Sequence, residues 1–186
     1  MTERDEVLRT ERLILRRWRA ADRALFAKIN ADPKVMEYFP APLSPAESDA
    51  LVDRIESHFV KRGFGPSAAE LKESGAFIGF IGLSVPRFEA AFTPCVEIGW
   101  RLAAEHWGRG LATEGARAAL EYGFAELGLK EIVSFTTARN VRSRRVMEKV
   151  GMTYDAADDF DYPSLPEGHP LRRHVLYRLR RNSISD

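Results

Sequence analysis

The sequence predicts a mixed α/β fold, a mostly antiparallel sheet flanked by helices. Three observations point there. Strand-like segments outnumber helix-like ones, three strands follow one another in mid-chain, and each long helical stretch carries a single apolar stripe. The predicted order is β-α-α-β-β-β-α-β-α-β-β, in one domain over residues 1–186 with its core at about 8–181. A doubly wound sheet needs strands and helices to alternate throughout, and here they do not.

"LRTERLILRRW" (8–18) alternates Leu13 and Leu15 with charged residues and ends on Trp18, which reads as a first strand. "ADRALFAKIN" (21–30) reads as a helix with Leu25, Phe26 and Ile29 on one face. "DPKVMEYFPAPL" (32–43) holds three prolines and reads as a loop with outward aromatics. Ser44 and Glu47 form a capping box around Pro45 and open a helix with a Leu51, Val52, Ile55, Phe59 stripe. A weak strand (68–71), a strong one (76–85) and a third (95–102) come next. The helix at 111–128 turns Ala112, Ala116, Ala119, Leu120, Gly123, Phe124 and Leu127 inward, and Glu114, Arg117 and Glu121 outward. "EIVSFTT" (131–137) is a buried strand, and Asn140 caps a short helix ending at Gly151. "MTYD", a polar loop and the strand "HVLYRLRR" (174–181) close the order.

Composition narrows the function classes. Lys plus Arg number 28 against 27 for Asp plus Glu, so bulk charge gives no case for a nucleic-acid partner. Cys95 is the only cysteine, which excludes an internal disulfide and a multi-cysteine metal site; no metal is expected. The chain starts with "MTERDEVLRTERL", charged and without an apolar leader core, and no apolar run approaches the roughly 20 residues of a membrane helix. The expectation is a soluble cytoplasmic protein, monomer or homodimer.

One junction asks for chemistry. "HWGRGLATEG" (106–115) lies between a strand and a long helix. Free amides at a helix start, with the positive end of the helix dipole, make an anion site. Gly108 and Gly110 let backbone approach a phosphate, Arg109 adds charge, and small Ala112 and Thr113 keep the first turn open. The plain alternative is a turn that only links strand to helix. The stretch is neither a Walker A loop, lacking Lys-Ser/Thr, nor a GxGxxG loop.

"WGRGLAT" (107–113) resembles the acetyl-CoA signature of the GNAT N-acetyltransferases, Gln/Arg-x-x-Gly-x-Gly/Ala, with Gly110 and Ala112 on its last two positions and Trp107 replacing the Gln or Arg. "TERLILRRW", "EIGW" and "NVRSRRVMEKVGM" are similar to the branch that includes the ribosomal-protein N-terminal acetyltransferases RimJ and RimL. The resemblance spans Thr10 to about Met152, and "HPLRRHVLYRL" fits as well. It implies acetyl-CoA as cofactor, held by Trp107, Gly108, Arg109, Gly110, Leu111, Ala112 and Thr113. It also implies a splayed strand that pairs with the pantetheine arm through Ile98, Trp100 and Leu102. Gly99 then suits a bulge or close backbone approach, or is simple packing. "ARNVRSRRVMEKVGM" matches the family's second cofactor segment, with Asn140, Ser143 and Arg145 as candidates and Arg142 beside them. Met147 stands where many relatives carry an acidic tyrosine; methionine cannot donate a proton. Ser143, one turn earlier and about 6 Å away, becomes the candidate donor to the leaving thiolate.

Acetyl transfer to an amine requires loss of the ammonium proton, stabilisation of the oxyanion and protonation of the thiolate. Glu97, a lone carboxylate in an apolar strand, is the candidate base; an ion pair with a nearby arginine is the competing reading. Asn140 is equally readable as a plain helix cap. His174 and His169 offer imidazoles, the side-chain type suited to helping deprotonate an amine, and Tyr38 and Phe39, with His174, are candidates for the acceptor side. Cys95 reads as a small buried filler rather than a nucleophile. The expected acceptor is a small-molecule amine or a peptide or protein N-terminal amine. A non-catalytic acyl-CoA sensor and a nucleotide-binding protein are the alternatives.

Overall fold

The computed structural model describes residues 6–181. The stretch 1–5, part of the charged start noted above, lies outside them. In chain order the elements are β1 (Glu6–Arg9), β2 (Leu13–Arg16), α1 (Asp22–Ala31), α2 (Pro45–Arg62), β3 (Pro66–Leu71), β4 (Phe77–Ser84) and β5 (Glu97–Leu102). They continue with α3 (Leu111–Ala125), β6 (Glu131–Thr137), α4 (Val141–Lys149), β7 (Thr153–Tyr154), β8 (Phe160–Asp161) and β9 (Arg173–Arg180). The sheet runs β1-β2-β3-β4-β5-β6-β9-β7, with β8 also on β9. Every pairing is antiparallel except β5 with β6. The mixed, mostly antiparallel class expected from the sequence is the one found.

Strand alternation gives the sheet two apolar faces. On one, α1 and α2 cover the amino-terminal strands through Phe26, Ile29, Val52, Ile55 and Phe59. On the other, α3 and α4 pack through Leu111, Ala116, Ala119, Leu120 and Met147 against Leu13, Ile81, Ile98 and Ile132. The approach of α3 is close because Gly115 faces the sheet: a Cβ there would collide with the Ile81 side chain. The capping box forms as read, with Ser44 N–H donating to Glu47 Oε2 at 2.8 Å and Glu47 N–H to Ser44 Oγ at 3.3 Å.

Four local expectations change. The first strand is a hairpin. Thr10 closes its turn, its N–H donating to Leu13 O and its Oγ1 accepting from Leu13 N–H, both at 2.9 Å. With no glycine or asparagine at the turn, the apolar alternation masked it. Glu114 does not face solvent. Its Oε1 accepts from Thr10 Oγ1 (2.6 Å) and Arg12 N–H (2.7 Å), and Oε2 from Arg12 Nε (2.6 Å), tying that hairpin to α3. Leu25 is 43% exposed, because Asp22 takes the inward position on the first turn of α1 to meet Arg16. The polar loop after β7 contributes β8, paired with β9.

Arg16 is buried between two carboxylates. Its Nη1 and Nη2 donate to Asp22 at 2.7 and 2.9 Å, and its Nε donates to Glu70 at 2.7 Å. Burial opposes the guanidinium charge, but the hydrogen bonds to Asp22 and Glu70 outweigh it and hold its pKa above the ordinary value. Arg16→Met leaves both carboxylates buried without their cation. Urea denaturation should report a loss of about 3–5 kcal/mol.

Candidate active site

The site begins where the sheet parts. β5 and β6 share one register pair, Glu97 beside Val133, with Val133 N–H donating to Val96 O at 2.9 Å. The buried Ser134 hydroxyl then donates to Ile98 O at 2.9 Å, and beyond it the strands diverge. Alternation turns the main-chain groups of residues 96, 98, 100 and 102 toward β6. Leu102 O accepts from Trp107 Nε1 at 2.9 Å. The N–H and C=O of Trp100 therefore face the gap with no strand beside them. Gly99 sits in regular register with Gly82, so of the bulge, close approach or simple packing weighed for it, the bulge is absent. A strand paired normally on its β4 side needs no bulge to leave its other edge open.

At the wide end of the gap lies the glycine turn. Gly108 and Gly110 have φ of 73° and 79°, in the left-handed region. Within the protein, glycine is required by handedness rather than by room: a Cβ at Gly108 meets nothing within 4 Å, and one at Gly110 only Arg12 Nη2 at 3.5 Å. Gly110 caps α3 with no side-chain hydrogen bond, and the first helical bond is Glu114 N–H to Gly110 O at 3.0 Å. From Gly108 to Thr113, six consecutive amides donate to no acceptor among the described residues. Arg109 is exposed beside them with Nη1 3.4 Å from His106 Nδ1, and its carbonyl accepts from Arg12 Nη1 at 2.9 Å. Free amides at a helix N-terminus in this arrangement can hold an anion. These donors fit a diphosphate, and the open Trp100 edge fits the amide-bearing arm of coenzyme A.

The helix α4 flanks the gap. Asn140 caps it, with Oδ1 accepting from Ser143 N–H at 3.1 Å and Nδ2 donating to Thr136 Oγ1 at 3.0 Å. Ser143 is half-buried, and its hydroxyl has no partner among the described residues. Met147, one turn on, is 1% exposed in the core. Arg142 reaches across to the α1–α2 loop, pairing with Glu37 at 2.6 Å and stacking on Trp107 (4.6 Å) and Tyr38 (5.6 Å). Arg145 is exposed and makes no ion pair among the described residues.

The sequence matches a family described as an acetyltransferase (GNAT) domain over residues 12–153. The chain belongs to the GNAT acetyltransferases. It is 30% identical over 174 residues to the uncharacterized N-acetyltransferase YnaD of Bacillus subtilis (strain 168), covering 91% of this chain and 94% of that one. It is 32% identical over 172 residues to the FsC-acetyl coenzyme A-N(2)-transacetylase of Aspergillus fumigatus, covering 85% of this chain and 72% of that one. The crystal structure of the acetyltransferase from Agrobacterium tumefaciens str. C58 superposes with a TM-score of 0.75 at 30% identity, over 94% of each chain. The protein is an acyltransferase.

On the opposite face of the GNAT sheet, Glu97, Gly99 and Arg101 line β5. Glu97 is half-buried, and among the described residues neither a hydrogen bond nor an ion pair engages its carboxylate. Desolvation pushes its pKa up to about 8. The ion pair weighed for Glu97 is not formed. Cys95, by contrast, has its thiol pushed up to about 11, first by burial and then by the Glu97 charge, which keeps it protonated. Phe39 lies under the Arg101 guanidinium at 4.2 Å, and with Tyr38 it brings the α1–α2 loop to the cleft. His174 stacks on Tyr162 at 5.0 Å, and its Nδ1 lies 3.1 Å from Arg172 O. Burial lowers its pKa, favouring neutral imidazole. His169 Nδ1 instead accepts from Leu171 N–H at 3.1 Å within its own loop.

Sequence reasoning missed the aromatic wall around His174, made of Phe88, Phe92, Phe135, Phe160 and Tyr162. Phe135 stands two residues beyond Val133, the register partner of Glu97, so the wall shares the Glu97 face of the sheet. Its members come from three separate segments, so no local pattern announces it. Arg101 was also missed; alternation with Glu97 on one strand was the available signal.

Proposed function

We propose that the chain transfers an acetyl group from acetyl-CoA to a primary amine by direct attack in a ternary complex. The six unpartnered amides of Gly108–Thr113, set beside the open edge at Trp100, carry this reading. Bound there, acetyl-CoA supplies the acetyl group as a thioester. Leu111, Ala112 and Thr113 offer first-turn amides, Arg109 adds charge, and Trp107 seals the turn against Leu102. Trp100 pairs its main chain with the pantetheine arm, flanked by Ile98 and Leu102; Asn140 and Arg145 line the α4 side. Glu97 takes the ammonium proton, and the gap-facing main-chain N–H of Trp100 meets the developing negative charge. The Ser143 hydroxyl donates to the departing sulfur in place of the missing tyrosine. Tyr38, Phe39 and His174 border the acceptor.

The motif residues support a place near the ribosomal-protein N-terminal acetyltransferases, with a peptide or small-molecule amine as acceptor. A panel of amines and N-terminal peptides with acetyl-CoA, scored by product mass, tests the reading. Binding without turnover across the panel favours an acyl-CoA sensor; stabilisation by ATP alone refutes the site. Ser143→Ala should lower kcat about tenfold with acetyl-CoA affinity within about threefold of wild type, measured by steady-state kinetics and calorimetry.

A further inference from the structure

Among the described residues, Arg16 and Arg101 both face inward, in contrasting surroundings. Arg16 has two carboxylates. Arg101 has none among the described residues. Its Nη1 donates to the neutral Asn30 Oδ1 at 2.6 Å, and its guanidinium sits 4.2, 5.8 and 6.0 Å from the rings of Phe39, Phe80 and Phe26. Its Nε is buried without any hydrogen-bond partner. Asn30 cannot turn toward it further, because its amide nitrogen is committed to Ser48 Oγ at 2.8 Å. Burial pulls the Arg101 pKa down to about 10. An unpaired desolvated cation is costly, and such groups persist where function uses them.

Arg101 also has a defined position relative to Glu97. Both side chains leave the same face of β5, with Gly99 between them. Glu97 reaches forward along the strand: its Oε1 would lie only 3.8 Å from a Cβ on Gly99. Gly99 thus leaves a bare floor between an unpaired carboxylate and a guanidinium that has no carboxylate partner among the described residues. One unpaired cation matches one singly charged anion, and a planar guanidinium suits a carboxylate.

We propose that the acceptor is an amino-carboxylate, its carboxylate bound by Arg101 and its amine presented to Glu97. This rests on the acetyl-transfer reading above. It narrows the acceptor from any primary amine to molecules bearing both groups, with the apolar body lying against Phe39 and the aromatic wall.

The test uses matched acceptors that differ only in the carboxylate: L-phenylalanine against 2-phenylethylamine, and 6-aminohexanoate against hexylamine, each with acetyl-CoA and scored by product mass. In at least one pair the acid should be preferred by about ten- to a hundredfold in kcat/KM. Arg101→Gln, which keeps a donor for Asn30, should collapse that preference to within about threefold; a thermal melt checks that it folds. If it does not fold, the wild-type ratio alone decides. Equal turnover within each pair, a preference for the carboxylate-free amine, or a folded Arg101→Gln that keeps the preference overturns the inference while leaving amine acetylation standing. Acetyl-CoA binding with no amine acetylated overturns the transfer reading, and this inference with it.

Discussion

Glu97→Gln is expected to cut kcat/KM for amine acetylation by about a hundredfold or more at pH 9, and far less at pH 6. The sign follows from the raised pKa of about 8. A general base works only when ionised, so wild-type activity climbs as pH rises through 8. At pH 6 only about one molecule in a hundred carries the carboxylate form, and the amide loses little by comparison. The variant should therefore lose the limb near pH 8 and show only the titration of the amine itself. Stability should move the other way. A carboxyl whose folded pKa is raised above its unfolded value weakens the fold as pH rises from the ordinary carboxylate range toward 8. Above pH 8, Glu97→Gln should melt higher than wild type while turning over more slowly, whereas a merely structural Glu97 would give the opposite melt. A pH–rate profile and a melt series on the same two proteins read both effects; an unaltered limb near pH 8 removes Glu97 from the chemistry.

Gly110→Val is expected to weaken acetyl-CoA binding at least about a hundredfold by calorimetry. The reason is conformational: φ at Gly110 is 79°, where a β-branched residue costs about 1–2 kcal/mol, and the turn relaxes by moving the amides that form the cradle. Gly63 is the matched control. It has the same φ of 79°, also with open space around a Cβ, but it ends α2 away from the cradle. Gly63→Val should lose similar stability, a few degrees in Tm, and keep cofactor affinity. If both variants bind acetyl-CoA as wild type does, the cradle is not where the diphosphate sits.

The sequence made the frame of this molecule legible wherever local rules operate. The Ser44–Glu47 capping box, the Asn140 cap and the small-residue face of α3 each follow from one helix's own spacing; the glycine turn stood out too, read for close backbone approach where the structure shows left-handed φ. What escaped depends on groups brought from far apart. The hairpin at Thr10 is held by Glu114, 104 residues away, so its turn has no local signature. Asp22 rotates α1 away from the apolar stripe because its partner, Arg16, lies on β2. The wall on the Glu97 face and the isolation of Arg101 exist only once three segments and two helices have converged. At the site itself, Glu97 stood out as one carboxylate among apolar neighbours, while the parted strand was expected only through the family resemblance. The neutral setting of Arg101 was not readable, because charge pairing cannot be inferred from strand alternation alone.

The account centres on main-chain donors from Gly108 to Thr113 holding a diphosphate while Trp100 pairs with the arm that follows it. A crystal structure of the protein with coenzyme A tests this most directly. The account predicts pyrophosphate oxygens within hydrogen-bond distance of those amides and the pantetheine chain laid between β5 and β6. A nucleotide half seated elsewhere, or a gap between β5 and β6 left empty beside bound cofactor, would contradict it.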